Sequence, residues 1–334
     1  MNDAPVLGAA RVGPGDLDPA GFAALRTGAI VAREDAAVMA LSGAGAVACM
    51  QGLLTNDVEK PGDGAFVYGA MLTAKGMIVV DGWAARHNPT VTFTMPADVR
   101  SRALAIFTRS VPPRLARVED RSSDGAVLRL AGPAALERCS TLAEFLPLPP
   151  PGRAALHPDG WEIARPPDGA PFVLQLMGPR AAVAVLEDRL GRAGIHIADR
   201  PILEAARVLA GWGRIGAEID EKTIPQEVRF DELGGVSYTK GCYTGQETVS
   251  RLHFRGHVNR YLRGLRFDDA PGDATTVEQQ DREVGRVTSL VWLPEGASRG
   301  QWIGLALLRR DVLPGTMARA GNSDVRVVDL PFTL

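Results

Sequence analysis

Three stretches of the chain repeat one pattern, an apolar run that meets a small-residue turn and then a helical period. They are Val38-Met-Ala-Leu-Ser-Gly-Ala-Gly45, Val127-Leu-Arg-Leu-Ala-Gly-Pro-Ala134 and Val173-Leu-Gln-Leu-Met-Gly-Pro-Arg180. The Gly allows a tight turn, and Pro is tolerated in the first turn of a helix. Their unequal spacing excludes a solenoid and predicts a fold built from related α+β units. Between the first two, Ala65–Leu72, Met77–Asp81 and Thr90–Met95 are β-branched or aromatic and bounded by turns, which predicts strands. Pro96 opens a helix that runs to Phe107 and is closed before Pro112-Pro113.

Pro147-Leu148-Pro149-Pro150-Pro151-Gly152 reads as a stiff linker between two α+β blocks. Asp199 is placed to cap a helix whose first turn holds Pro201 and which runs to Ala210. From Asn259 onward the helical period fades. The segments Tyr261–Phe267, Glu283–Leu290, Gln301–Leu308 and Val325–Val328 predict a small all-β barrel. The expected division is an N-terminal extension over 1–24, an α+β region over 25–256 with its junction near 112–152, and a barrel over 257–334.

With 334 residues, 46% of them apolar, the chain can bury several cores. It has 37 basic and 39 acidic residues, a net charge of −2, so no bulk attraction to nucleic acid is implied. No run of about 18 apolar residues predicts a membrane span, and Met1-Asn2-Asp3-Ala4-Pro5 lacks the pattern of a secretory signal, so the cytoplasm is the expected location. Cys49, Cys139 and Cys242 have no CxxC spacing, which argues against a disulfide framework, a structural zinc or a self-contained Fe–S ligand set. Any link to a cluster therefore involves a partner, and no bound metal is expected. Lys60, Lys75, Lys222 and Lys240 are the only lysines. Against an Arg-rich background this gives a mild reason to look for sites that want a compact ammonium.

One octet concentrates chemistry. Lys240-Gly-Cys-Tyr-Thr-Gly-Gln-Glu247 sets an ammonium, a thiol, an amide and a carboxylate around two glycines. A thiol beside a Lys can become a reactive thiolate. The alternative is a polar turn with a half-buried structural Cys. After the octet, Arg251, Arg255, Arg260, Arg263 and Arg266, with His253 and His257, form a basic strip without an acid. Such a strip suits an anionic tail, an acidic partner or a phosphate backbone.

The octet resembles the Lys-Gly-Cys-Tyr-x-Gly-Gln-Glu motif of the YgfZ-type folate-binding proteins, which share a fold with the aminomethyltransferase (T protein) of the glycine cleavage system. The resemblance continues through Gln51–Val58, Leu72–Gly76, Gly216–Asp220, Thr223–Glu227, Arg255-Gly256, Asn259-Arg260, Gly285–Ser289 and Leu305–Arg310, covering roughly residues 25 to 320. It implies two interwoven α+β subdomains closed by a C-terminal β-barrel. As cofactor it implies tetrahydrofolate or another reduced folate. As function it implies support for Fe–S cluster assembly or repair in client enzymes, with folate and Fe–S client or assembly proteins as partners. The alternative it leaves is a folate-dependent aminomethyltransferase or demethylase-type one-carbon transferase, and a third reading is a folate-fold scaffold without ligand.

A folate site needs an apolar slot, partners for the ring and cations for the tail. Tyr68, Met71, Trp83 and Tyr243 are candidates for the slot, and Gln51, Thr55, Asn56 and Asp57 for the ring. Asn-Asp after an apolar run is equally an ordinary helix stop. Gln246, Glu247 and Arg255 complete the candidate binding set, and Cys242, Lys240 and Asp81 form the candidate catalytic set. Asp81, read as a strand end, aligns across a one-residue gap with the second Asp of the T protein's Gly-Gly-x-x-Asp-Asp segment. The resemblance thereby implies a carboxylate near the reacting folate nitrogen. One departure is Leu209, in Arg207-Val-Leu-Ala-Gly211, where the T protein has a Glu that binds the pteridine. Glu204 lies about one helical turn earlier.

Overall fold

The structure is a computed structural model that describes residues 9–295 and 299–333. In chain order its elements begin with β1 (Ala10–Val12), α1 (Pro19–Thr27), β2 (Ile30–Glu34), β3 (Ala36–Ser42) and α2 (Ala46–Leu53). Then come β4 (Phe66–Leu72), β5 (Ile78–His87), β6 (Thr90–Pro96), α3 (Arg100–Ser110), β7 (Arg117–Asp120), β8 (Gly125–Ala131) and α4 (Ala135–Ser140). The middle of the chain continues with β9 (Arg153–Leu156), β10 (Glu162–Arg165), β11 (Leu174–Pro179), α5 (Arg180–Arg192), β12 (His196–Ile197), α6 (Pro201–Ala210) and α7 (Gln246–Arg255). The last strands are β13 (Arg260–Phe267), β14 (Thr276–Gln279), β15 (Arg282–Glu295), β16 (Arg299–Arg309), β17 (Met317–Ala320) and β18 (Ser323–Val328).

All three strand–turn–helix repeats form as the pattern predicts, as β3–α2, β8–α4 and β11–α5. Among the described residues the strands make three sheets. An antiparallel sheet runs β4-β5-β6-β3-β7, and a mixed one, in which only the β12–β2 pair is parallel, runs β12-β2-β8-β11-β10-β9. The two units are interwoven, because β2 precedes every strand of the first sheet yet pairs with β8 of the second, with Ile30 opposite Ala131 and Glu34 opposite Val127. The six strands β13 to β18 close into the expected barrel through the β15–β16 pairing. Outside it, β1 lies parallel to β15, with Ala10 opposite Ser289.

Each unit has its own apolar interior. Val31, Leu128, Leu130, Leu174 and Leu176 on one face of the second sheet pack against Val183, Leu186 and Leu190 of α5. The opposite face turns toward the first sheet, where Phe66, Phe93 and Phe107 are fully buried. Each of those rings contributes roughly 2 to 3 kcal/mol by leaving water. Leu265, Val277, Leu290, Leu308 and Val325 fill the barrel.

Four expectations need correction. The strand placed over Met77–Asp81 runs on to His87, so Asp81 lies inside β5 rather than at its end. At the next residue, Gly82, a Cβ would sit 2.4 Å from the Thr94 carbonyl oxygen, so the glycine lets β5 and β6 approach closely within the continuing strand. Asp199 makes no side-chain cap; its carbonyl accepts from the Ile202 N–H at 3.1 Å, and Pro201 opens α6. The helix expected from Pro96 starts at Arg100, after a 3₁₀ turn over Ala97–Val99. Finally, α1 runs through the boundary expected at residue 24, and β1 is part of the barrel's sheet rather than a free extension.

Candidate functional site

The interwoven sheets, α6 with the loop after it, and β1 leave a central cavity of about 600 Å³. Tyr68 of β4 and Asp81 and Trp83 of β5 line one side, Arg129 of β8 and Phe172 another, and Glu204, Arg207, Trp212 and Arg214 of α6 and the following loop a third. Four of these are aromatic. Trp83 and Trp212 stack with centroids 5.9 Å apart, and Tyr68 meets Trp212 edge-on at 4.8 Å. Phe172 stands edge-on to Trp83 at 5.1 Å and carries the Arg129 guanidinium 3.8 Å over its ring. Walls of this kind suit a flat, polarisable ligand.

Asp81 is the chemically exposed point in these walls. Its Oδ2 accepts a hydrogen bond from the Tyr68 hydroxyl at 2.7 Å, while its Oδ1 is buried with no partner. Burial pushes the carboxyl up to about 6, against the opposing effect of the Tyr68 bond. Burial, and then Asp81 itself, raise the Tyr68 hydroxyl well above its ordinary value. A buried acceptor without a donor is a place where a ligand N–H or a water must sit.

Glu204 faces the cavity but is already engaged. Arg207 donates to both of its oxygens, at 2.6 and 2.9 Å. Burial favours the neutral acid, yet the neighbouring Arg207 outweighs it and holds the carboxyl below its ordinary value. Arg207 also donates to Glu218 Oε2 at 2.8 Å and Ser289 Oγ at 2.6 Å, and Ser289 donates to Glu218 Oε1 at 2.6 Å. The matching segments around Glu218 and Ser289 are therefore a buried clamp joining α6 to the barrel. Leu209 does not line the cavity and packs against the main core.

The other candidate residues gather elsewhere, at the junction of α2, β4 and the octet. Lys240 is buried and donates all three of its hydrogens to backbone carbonyls: Gln51 at 2.7 Å, Leu54 at 2.6 Å and Asn56 at 2.8 Å. These close the C-terminal end of α2, where carbonyls lack helical partners. Burial brings the ammonium down to about 8, against Asp57 and Glu59. The expectation that Lys240 directs its charge at Cys242 is thus corrected: its hydrogen bonds go to the helix end.

Gln51, Thr55, Asn56 and Asp57 are likewise spent on the fold, where a ring contact was expected. Gln51 donates to Asp57 Oδ1 at 2.9 Å, Thr55 Oγ1 donates to the Gly235 carbonyl at 2.6 Å, and Asn56 Nδ2 donates to the carbonyls of Tyr68 and Gly234 at 2.7 Å. Asp57 accepts from the backbone of Glu59 and Lys60. Met71 is buried away from the cavity. Tyr243 is buried beneath Lys240, its ring centroid 5.1 Å from the ammonium, and its hydroxyl has no partner.

Cys242 is exposed on this outer loop. Gly245, at φ 84°, ends the octet's turn and leads into Gln246 and Glu247, the first two residues of α7. No side chain fits there, since a Cβ would lie 2.5 Å from the Thr73 carbonyl oxygen. The Gly76 and Gly245 turns pack together, and the Thr244 N–H bonds the Gly52 carbonyl at 3.2 Å. Three of the sequence motifs therefore meet at the thiol loop.

The basic strip does not form one free surface. Arg251 and Arg255 are exposed on α7, whereas Arg260 pairs with Glu227 at 2.8 Å, Arg263 with Asp329 at 3.3 Å, and Arg266 bonds Gln301. Among the described residues no group of three or more His, Cys, Asp or Glu is arranged to hold a metal ion, and no helix is long and apolar enough to cross a membrane. Sequence reasoning reached Tyr68, Asp81, Trp83 and Glu204 but missed Arg129, Phe172, Arg207 and Trp212. The available signal was a charge inside an apolar run, Val127-Leu-Arg-Leu130.

Residues 23–146 match the GCVT N-terminal domain family. The chain is 28% identical over 322 residues to the tRNA-modifying protein YgfZ of Cronobacter sakazakii, covering 91% of this chain and 93% of that protein. Identity to the tRNA-modifying protein YgfZ of Sodalis glossinidius is 26% over 315 residues, again with 91% and 93% covered. In fold the chain is similar to the glycine cleavage system aminomethyltransferase T of Bartonella henselae, with a TM-score of 0.80 at 18% identity, covering 94% of this chain and 89% of that one.

Proposed function

Since this chain belongs to the YgfZ-type branch of the glycine cleavage T-protein-like family, we propose that it is a cytoplasmic protein that binds a reduced folate in the central cavity and supports Fe–S clusters of client proteins through the exposed thiol loop. The observation that carries the folate reading is the unpartnered Asp81 Oδ1 inside an aromatic-walled cavity of about 600 Å³. A tetrahydropteridine offers ring N–H donors to that oxygen and a flat face to Trp83, Trp212 and Phe172. Tyr68 holds the second carboxylate oxygen and so orients the first. When bound, a reduced folate supplies one-carbon chemistry at its N5; Asp81 is the group of this chain placed to hold or receive a proton there.

Cys242 is separate from that cavity and exposed, which suits contact with a second macromolecule rather than with a ligand in the ring. In this reading Lys240, Gln51, Thr55, Asn56 and Asp57 position the loop, Gln246 and Glu247 set its exit into α7, and Arg255 lies on the exposed face where an anionic group would approach. The tRNA-modifying description of the relatives fits an indirect role, in which the chain serves an enzyme that acts on tRNA, since Arg260, Arg263 and Arg266 are committed within the fold. The one-carbon transferase alternative is the weaker reading, because Leu209 replaces the pteridine-binding Glu and Glu204 is taken up by Arg207.

The test has two arms. Calorimetric titration with tetrahydrofolate is expected to show binding, and no heat at millimolar ligand would remove the folate reading, since a site worth about −4 kcal/mol registers there. Cys242→Ser is expected to unfold within about 0.5 kcal/mol of wild type and to bind folate normally, yet to fail in restoring Fe–S enzyme activity to a strain lacking the gene. Full restoration would make the thiol dispensable.

A further inference from the structure

The layer between the two sheets should be apolar, and along one line it is not. On β5, the alternation of a strand puts Asp81, Trp83, Ala85 and His87 on one face, spanning about 20 Å. Thr94 lies opposite Trp83 and Thr92 opposite Ala85 on β6. Across the layer, Arg129 of β8 is directly opposite Gln175 of β11, and Met177, two residues on, is opposite Glu162 of β10. Asp81, Thr94, Thr92, Arg129, Gln175 and Glu162 are all buried, with exposures of 6, 2, 8, 5, 1 and 2%.

This row is only half satisfied. Glu162 Oε2 meets His87 Nε2 at 2.8 Å and Thr92 Oγ1 at 3.4 Å, but Glu162 Oε1 has no partner. Neither do Arg129 Nη1, Gln175 Nε2 and Gln175 Oε1. Four orphan atoms on three neighbouring side chains, donors and acceptors alternating, form the lining that ordered water occupies in a protein interior. One end opens on the central cavity, which Asp81 and Arg129 line, and the other on an outer groove formed by His87 with Asp63, Asn88 and Arg153.

We propose that this seam is a hydrated proton path joining Asp81 to bulk solvent, with the Glu162–His87 pair as its outer gate. A proton taken up by the His87 ring leaves Nε2 for Glu162 Oε2. The protonated carboxyl then turns about its Cγ–Cδ bond, so that its O–H faces the first water where Oε1 stood; that O–H bond breaks as the water gains the proton, and each later hop makes one O–H bond as it breaks another, ending on Asp81. Arg129, Gln175 and the threonines orient water and undergo no net change. At the inner end Tyr68, Glu34, Asp98 and Arg129 stand with Arg11, Asp35, Arg200, Glu204, Arg207 and Arg214 around the same cavity; at the outer end the charged neighbours of His87 are Glu162, Asp63 and Arg153. The path matters when a ligand fills the cavity and blocks the direct route, so its use rests on the folate reading, whereas its water does not.

The experiment is a pH jump on protein saturated with 5-formyltetrahydrofolate, following the infrared band of the protonated Asp81 carboxyl, assigned by its loss in Asp81→Asn. Glu162→Gln, which keeps shape, and His87→Phe are each expected to slow its relaxation at least tenfold with ligand affinity unchanged. Equal relaxation in wild type and both variants overturns the proposal. If titration of the same samples shows no folate binding, the folate reading fails on its own account. The seam is then judged in a high-resolution crystal structure of ligand-free protein, where ordered water bridging Arg129, Gln175 and Glu162 supports it and a dry seam overturns it.

Discussion

Asp81 is where stability and function pull in opposite directions. Its carboxyl titrates at about 6 in the folded chain against an ordinary 3.8, so the folded state holds the extra proton between those values. Its contribution to stability is full below about 3.8 and is lost as pH rises through about 6. At pH 7 the buried, half-partnered carboxylate costs up to about 3 kcal/mol relative to its neutral form. Asp81→Asn is therefore expected to raise the urea unfolding free energy at pH 7 by about 1 to 3 kcal/mol, and to lose that gain by pH 4. The same variant should bind tetrahydrofolate at least tenfold more weakly at pH 7, and wild-type affinity should fall as pH drops below about 6 and the acceptor is protonated. A variant less stable than wild type at pH 7 would show that Asp81 is not strained in the unliganded protein. Lys240 is the opposite case: Lys240→Met leaves three carbonyls, two buried and one partly so, short of a donor, for an expected loss of about 2 to 4 kcal/mol in urea unfolding. A loss below about 1 kcal/mol would return Lys240 to the list of chemical rather than structural groups.

The elements that build the site meet through buried polar contacts as much as through apolar ones. Arg207, Glu218 and Ser289 tie α6 to a bulge of β15, and Glu218 and Ser289 are wholly buried. Glu218→Ala takes away one of the two carboxylate partners of Arg207 and leaves Glu204, for an expected cost of about 2 to 3 kcal/mol, whereas Ser289→Ala removes a neutral link and costs about 1 to 2. Urea unfolding reads both, and equal effects would mean that the charge is not carried by Glu218. Much of this architecture was legible in the sequence, because β3–α2, β8–α4 and β11–α5 repeat one local signal and the barrel strands alternate cleanly. The polar seam was not. A lone Arg129, Gln175 or Glu162 in an alternating strand looks the same whether that face meets water or a second sheet, and only the pairing of β8, β11 and β10 decides it. Gly82 is a related case, since a glycine that lets two strands approach has no local mark distinguishing it from one that ends a strand.

At the scale of the whole molecule, two interwoven sheets and α6 line the central cavity, while the octet that resembles the YgfZ motif lies outside it. Sequence order placed Lys240, Cys242 and the Gln51–Asp57 segment in one site with Asp81. The fold separates them into an inner ligand-sized chamber and an outer loop, linked by Asn56 donating to the Tyr68 carbonyl. The central claim is that the chamber, not the loop, receives the folate. A crystal structure of the protein soaked with 5-formyltetrahydrofolate tests it most directly. The account predicts ligand density between Trp83, Trp212 and Phe172, with a ring N–H within hydrogen-bond distance of Asp81 Oδ1. Ligand bound at the Lys240–Tyr243 loop with the chamber empty would contradict it.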